Sequence, residues 1–341
     1  MYQVDPVQQE SHRADNYSST QTKGGNPRQE EVKRFSLTNV KKYFERGGFF
    51  SRGNLHLVLN IDDISIEENQ SVGLIGESGS GKTTIARLLM RIIQPDSGRI
   101  EYFGRDLQSL KGEELRRYRR DCQMIFQDPS AQFNPRMTIG EILGEPLLIN
   151  GILHSNEHRI KEILHLVSLP EDIIGRYIHQ ISGGQRQRIS IARALILNPS
   201  FILCDEPVSA LDISVSTQIL NLLFDLKQQM GIHYLLISHD LSVVRYLCDC
   251  VYILYSGRIV EKGSVREIFE SPYHPYTKEL LRASDLDLNN YNIAGDEKDG
   301  VIGDVQSPNC LFSRCEHFKS CLDKPLSEKR LTETHSVFCN L

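Results

Sequence analysis

Residues 76–84 read GESGSGKTT and fit the pattern G-x-x-x-x-G-K-[ST], with Gly76, Gly81, Lys82 and Thr83 at its fixed positions. Glycines let such a loop curl until successive backbone N–H groups face phosphate oxygens, and a helix opening at its end adds a positive dipole. The residues Gly76, Glu77, Ser78, Gly79, Ser80, Gly81, Lys82, Thr83 and Thr84 are therefore the candidate cradle for a nucleotide. In it Lys82 neutralises the β- and γ-phosphates and the Thr83 hydroxyl ligates Mg²⁺. A Gly/Ser turn can match the bare pattern, so context decides. The apolar run SVGLIG (71–76) predicts a strand before the loop, and Ile85, Leu88, Leu89, Ile92 and Ile93 predict one apolar face of a helix after it, ended by Pro95 and the turn DSG (96–98).

Outward from this loop, the stretch FILCDEP (201–207) places Asp205 and Glu206 at the end of a short apolar run. Open α/β sheets bind ligands at the C-terminal ends of their strands. Two adjacent carboxylates there are costly unless a cation or a water uses them. Asp205 is thus the candidate Mg²⁺ partner, and Glu206 the candidate to orient or deprotonate the water attacking the γ-phosphate. The runs HYLLIS (233–238) and VYILY (251–255) repeat the strand signal. Their alternation with helical patterns predicts a mostly parallel α/β sheet. Earlier, FSLTNVKKYF (35–44) and LHLVLNIDDISI (55–66) alternate as strands on either side of the loop RGGFFSRGN (46–54).

The chain has 341 residues, 40% of them apolar, and a formal charge of −5. That is enough for a full core and excludes disorder throughout. Without a basic excess, nothing advertises nucleic acid as a partner. No run approaches the roughly 18 apolar residues of a membrane helix, and the start lacks the apolar segment of a signal peptide, so the expected compartment is the cytosol. The polar first thirty or so residues read as a disordered tail, and DLDLNNYNIAGDEKDG (285–300) as a linker. Beyond it, Cys310, Cys315, Cys321 and Cys339 follow the spacing C-x4-C-x5-C-x17-C. In a reducing compartment such a cluster suggests metal binding rather than disulfides. Cys122, Cys204, Cys248 and Cys250 are scattered in apolar surroundings and read as core residues.

The stretch ISGGQRQR (181–188) is more discriminating. Ser182, Gly183, Gly184 and Gln185 sit where a helix begins and offer hydroxyl, bare backbone and dipole to an anion. One nucleotide rarely needs two such grips from one chain. Here the sequence resembles the ATP-binding cassette (ABC) family, in which the SGGQ signature of one subunit closes over the ATP held by the phosphate loop of another. By that resemblance, Gln127 of FQDP (126–129) touches Mg²⁺ and the attacking water. Asp212 of SALD (209–212) crosses the dimer interface, and His239 of LLISHD contacts the γ-phosphate. Phe44 stacks on adenine, with Tyr43 as the alternative.

Three stretches, MIFQDPSAQFNPRMTIGEIL (124–143), LCDEPVSALDISVSTQILNLL (203–223) and SPYHPYTKELL (271–281), are similar to the F-type ATP-binding subunits of oligopeptide and dipeptide importers. The likeness runs from about Phe35 to Cys339, with Ile181 in place of the usual leucine before the signature. It implies a P-loop NTPase fold of RecA-like type: a mostly parallel sheet, an antiparallel β subdomain, an inserted helical subdomain and a small cysteine-containing C-terminal extension. The implied organisation is a tail over 1–33, a nucleotide-binding domain over 34–270 with its helical part at about 127–195, and the extension over 271–341. In this branch the four C-terminal cysteines can hold a [4Fe–4S] cluster. Zn²⁺ suits four thiolates as well, and spacing does not separate the two. The implied protein is an ATP hydrolase energising peptide uptake, peripheral on the cytoplasmic face of the inner membrane. Its implied partners are a paralogous ATPase in a heterodimer, two permeases and an extracytoplasmic substrate-binding protein. A soluble cassette acting on nucleic acid or ribosomes is the alternative.

Overall fold

The computed structural model describes residues 32–46, 54–152, 156–287, 312 and 327–339. The N-terminal half runs β1 (Lys33–Arg46), β2 (Asn54–Glu67), β3 (Val72–Ile75), α1 (Lys82–Leu89), β4 (Ser97–Tyr102), β5 (Arg105–Asp106), α2 (Gly112–Asp121) and β6 (Cys122–Ile125). Three helices follow, α3 (Ile139–Ile149), α4 (Asn156–Leu166) and α5 (Gly183–Leu195). Strand and helix then alternate through β7 (Phe201–Asp205), α6 (Ile213–Met230), β8 (His233–Ile237), α7 (Leu241–Leu247), β9 (Cys250–Tyr255) and β10 (Arg258–Ser264). The chain closes with α8 (Val265–Glu270), α9 (Pro275–Asp287), β11 (Glu328–Arg330) and β12 (Ser336–Phe338).

The larger sheet has the order β11-β12-β10-β9-β3-β8-β7-β6. From β6 to β9 its neighbours pair in parallel, whereas β10, β12 and β11 add antiparallel pairs at one side. Every residue of β3 and β7 is buried, which is why these strands read as continuous apolar runs: a parallel sheet is covered on both faces. One face carries Ile202, Cys204, Tyr234 and Leu236 against α3 to α7. The other carries Phe201, Leu203, Leu235 and Ile237, packed with Ile85, Ala86, Leu88 and Leu89 of α1 and with Phe35, Leu37, Leu59 and Ile61. Those last residues belong to the second sheet, order β2-β1-β4-β5, which is wholly antiparallel. Helix α1 is thus clamped between two sheets, and the loop that feeds it cannot drift.

The order β7-β8-β3 sets the site. Leu74 of β3 and Asp205 of β7 both pair with Ile237 of β8, so the three strands end level with one another. The 76–84 loop, Asp205–Glu206 and His239 consequently emerge along one edge.

Helix α1 ends a turn earlier than its apolar periodicity predicts, and Ile92 is exposed. Arg91 takes a left-handed φ of 53°, Ile92 N–H donates to Arg87 O at 2.9 Å and Arg91 N–H to Leu88 O at 3.0 Å. This is a Schellman stop with arginine where glycine is usual. Cys122, Cys204 and Cys248 are buried as expected, and Cys250 is half-buried. Among the described residues no helix is long and apolar enough to cross a membrane. Residues 1–31, the loop 47–53, the greater part of the 285–300 linker, and Cys310, Cys315 and Cys321 lie outside the described residues.

Candidate active site

Gly81 caps α1 with a φ of 104°, and a Cβ there would fall 2.4 Å from Leu59 Cδ2. No other residue suits that corner. The turn folds Lys82 back over the loop, where Nζ donates to Gly76 O at 2.6 Å, to Glu77 O at 2.7 Å and to Ser80 Oγ at 3.4 Å. Burial lowers the Lys82 pKa, against the pull of Glu206, Asp205 and Glu77. Thr83, one residue on, donates from Oγ1 to Asp205 Oδ1 at 3.4 Å.

Asp205 is 6% exposed. Burial raises its pKa, the neighbouring Glu206 charge adds to this, and the Thr83 hydroxyl and Lys82 oppose it. A buried carboxylate beside a second one, with a threonine hydroxyl as its donor, has the oxygen chemistry that a hard divalent cation such as Mg²⁺ takes. Glu206 follows in a left-handed conformation, φ 48°, its N–H donating to Ile237 O at 2.9 Å. That twist turns its side chain out of the sheet. Oε2 accepts from Gln127 Nε2 at 2.8 Å, and Oε1 lies 3.2 Å from His239 Nδ1. Three segments remote in sequence therefore converge on one carboxylate.

A second group forms at the starts of α5 and α6. Ser182 caps α5, its Oγ accepting from Gln185 N at 3.3 Å while Gln185 Oε1 accepts from Ser182 N at 3.0 Å. Asp212 caps α6 in the same manner, with Oδ1 accepting from Val215 N at 2.9 Å and Ser214 Oγ at 2.8 Å, and these bonds lower its pKa. A Cβ on Gly184 would lie 2.7 Å from Val215 Cγ1, so this glycine lets α5 abut α6. A Cβ on Gly183, by contrast, would meet nothing nearer than 3.8 Å.

The candidate residues thus divide in two: the loop with Asp205, Glu206, Gln127 and His239, and a separate patch of Ser182, Gly183, Gly184, Gln185 and Asp212. Phe44 belongs to neither. It is 40% exposed on β1 with Lys42 Nζ 5.5 Å from its ring centre, while Tyr43 is half-buried and its N–H donates to Asp96. Of the four C-terminal cysteines only Cys339 is described, buried next to β12. Among the described residues no three His, Cys, Asp or Glu side chains form a metal set, so this part of the chain lends no support to an iron–sulfur cluster.

Residues 59–209 match the ABC transporter family. A Brucella ovis protein named as a peptide-import ATP-binding protein is 50% identical over 268 residues, 75% of this chain and 83% of its own. The oligopeptide transport ATP-binding protein AppF of Bacillus subtilis is 39% identical over 318 residues, 89% and 96% of the two chains. OppF of Salmonella typhimurium is 46% identical over 267 residues, 75% and 79%. Among solved structures, the dimeric post-hydrolysis state of an ATP-binding cassette bound to ADP and Pi superposes with a TM-score of 0.60 at 29% identity, covering 68% of this chain and 99% of that one. A nucleotide-free cassette from an ABC transporter gives 0.59 at 26% identity, covering 73% and 98%. The fold is that of a P-loop ATPase. The chain belongs to the ABC transporter family, as one of its ATP-binding, ATP-hydrolysing subunits.

The sequence reading missed Tyr276. It lies in the SPYHPYTKELL stretch, but nothing local says that its hydroxyl accepts from Glu77 N–H at 2.9 Å, across 199 positions.

Proposed function

We propose that the chain hydrolyses ATP at sites shared with a second, paralogous ATP-binding subunit, and so drives uptake of di- or oligopeptides through two permeases fed by an extracytoplasmic binding protein. The observation that carries the reading is the seat of Glu206, held by Gln127 and His239 one residue beyond Asp205 and level with the 76–84 loop. In this reading Phe44 stacks on adenine, and the backbone of residues 76–84 with Lys82 receives the phosphates. Thr83, Asp205 and Gln127 would hold Mg²⁺, which supplies charge neutralisation between the β- and γ-phosphates. Glu206 takes the proton of the attacking water, and Gln127 and His239, one at each of its oxygens, hold the plane of its carboxylate. The patch of Ser182, Gly183, Gly184, Gln185 and Asp212 serves the nucleotide of the partner subunit.

The peptide cargo rests on the names of the relatives, and the subunit sits at the cytoplasmic face of the membrane because its permeases are there. Uptake of a labelled dipeptide, a labelled oligopeptide and nickel by cells with and without the chain tests the cargo. Loss of peptide uptake supports it, and unchanged peptide uptake with loss of nickel overturns it. The tail cysteines Cys310, Cys315, Cys321 and Cys339 are assigned to a [4Fe–4S] cluster on the likeness of this tail to that of the peptide-importer branch, since their spacing suits Zn²⁺ equally. Iron and acid-labile sulfide at about four each per chain after anaerobic purification support this, and zinc or no metal removes it.

A further inference from the structure

The Gly76–Glu77 peptide group is held from both sides. Its carbonyl accepts from Lys82 Nζ at 2.6 Å, and its N–H donates to Oη of Tyr276 at 2.9 Å. In a trans peptide these two groups point in opposite directions on one rigid plane. Neither bond can swing without disturbing the other. The plane is therefore oriented by Tyr276 at one edge and in turn orients the Lys82 ammonium at the other.

Tyr276 itself has little freedom. It is 2% exposed, with its ring centre 4.5 Å from that of Tyr255 and 5.6 Å from that of Phe312. Its N–H donates to His274 Nδ1 at 3.1 Å. The N–H groups of Tyr273 and His274 donate to the carboxylate of Glu261 at 2.7 and 2.9 Å, and His335 Nε2 lies 2.7 Å from the same carboxylate. Glu261 is fully buried on β10. Residues from β10, the start of α9, Phe312 and the turn before β12 thus lock one tyrosine against the first peptide of the loop.

We infer that Tyr276 is a positioning residue for the nucleotide site: it seats Lys82 through the Gly76–Glu77 peptide, and through it the docked C-terminal segment sets the affinity of the loop for the β- and γ-phosphates. This rests on the phosphate-loop reading of residues 76–84. It adds a dependence on a part of the chain nearly 200 positions beyond the loop. Tyr276→Phe removes one oxygen, keeps the ring and leaves the Glu77 N–H without its acceptor.

The test measures binding of MgATP and AMP to the full chain, wild type and Tyr276→Phe, by calorimetry and ligand-observed NMR, with thermal melting of both proteins. The expected result is a roughly fivefold to tenfold weaker MgATP affinity, the size of one lost hydrogen bond, with AMP unchanged because it lacks the phosphates that Lys82 meets. Phe312→Leu, which leaves every hydroxyl in place but loosens the packing on the Tyr276 ring, should weaken MgATP in the same direction. Wild-type MgATP affinity in Tyr276→Phe, or an equal loss for MgATP and AMP, overturns the inference. So does a lowered melting temperature with unchanged affinity, which marks a purely structural anchor. Lys82→Ala separates the two claims. If it leaves MgATP affinity intact, the phosphate-loop reading itself falls; if it weakens MgATP while Tyr276→Phe does not, only the role of Tyr276 falls.

Discussion

Gln127 Nε2 lies 2.8 Å from Oε2 of Glu206, although the two residues are 79 positions apart and sit at the ends of neighbouring parallel strands, β6 and β7. The bond uses one oxygen of the carboxylate and leaves the other to His239 at 3.2 Å. A carboxylate so gripped is oriented before any water arrives, which is the arrangement a general base needs.

Glu206→Gln keeps the shape and removes the basicity. MgATP binding should be unchanged, and turnover in the assembled complex should fall roughly 10²-fold or more. Steady-state ATPase assays alongside nucleotide-binding titrations check both halves. Hydrolysis at the wild-type rate would remove the base role from Glu206.

Asp205 is held in a site that disfavours its charge: burial and the Glu206 carboxylate raise its pKa against the Thr83 hydrogen bond. Asp205→Asn should therefore leave the nucleotide-free protein as stable as wild type or slightly more so, by up to a few degrees in melting temperature, while hydrolysis collapses and added Mg²⁺ no longer changes ATP affinity. Scanning calorimetry with and without MgATP reads this. A melting temperature several degrees lower would mean that Asp205 is structural.

Gly184→Ala separates the second patch from the first. Its Cβ would meet Val215 Cγ1 at 2.7 Å, so α5 must back away from α6 at a cost of about 1–3 kcal/mol. MgATP binding by the isolated chain, assigned above to the other cluster, should persist, and ATPase activity of the assembled complex should be lost. Retained complex activity would argue against a role for Ser182–Gln185 across subunits.

Legibility in the sequence followed locality. GESGSGKTT, FILCDEP and the start of α5 could be read because each is a short run bounded by its own strand or helix, and the fold places them at strand and helix ends as such runs require. The stop of α1 could not, because a left-handed Arg91 carries no compositional mark. Glu261 is the sharper case. In RIVEKGS it reads as an ordinary polar strand position, yet it is fully buried because donors 12, 13 and 74 positions away converge on it. Gln127, Asp212 and His239 were placed by family likeness alone, since a lone glutamine, aspartate or histidine says nothing of the groups it will meet.

His274 supplies a pH dependence whose sign can be worked through. Burial, with Lys278 adding, lowers its pKa to about 4 from an ordinary 6.5. Its Nδ1 accepts from Tyr276 N–H, so the folded ring is neutral at that atom. Between pH 6.5 and 4 the unfolded chain binds a proton that the folded chain refuses, so stability is fully present above pH 6.5 and is lost as pH falls through this window. The whole loss is on the order of 3 kcal/mol, at about 1.4 kcal/mol per unit. His274→Asn offers an amide oxygen near the place of Nδ1 and cannot take up the proton. Denaturant unfolding at pH 7 and pH 5 should show wild type losing roughly 2 kcal/mol more than the variant. Equal losses in the two proteins would mean that His274 accepts its proton in the folded state, and that the seat of Tyr276 survives acidification.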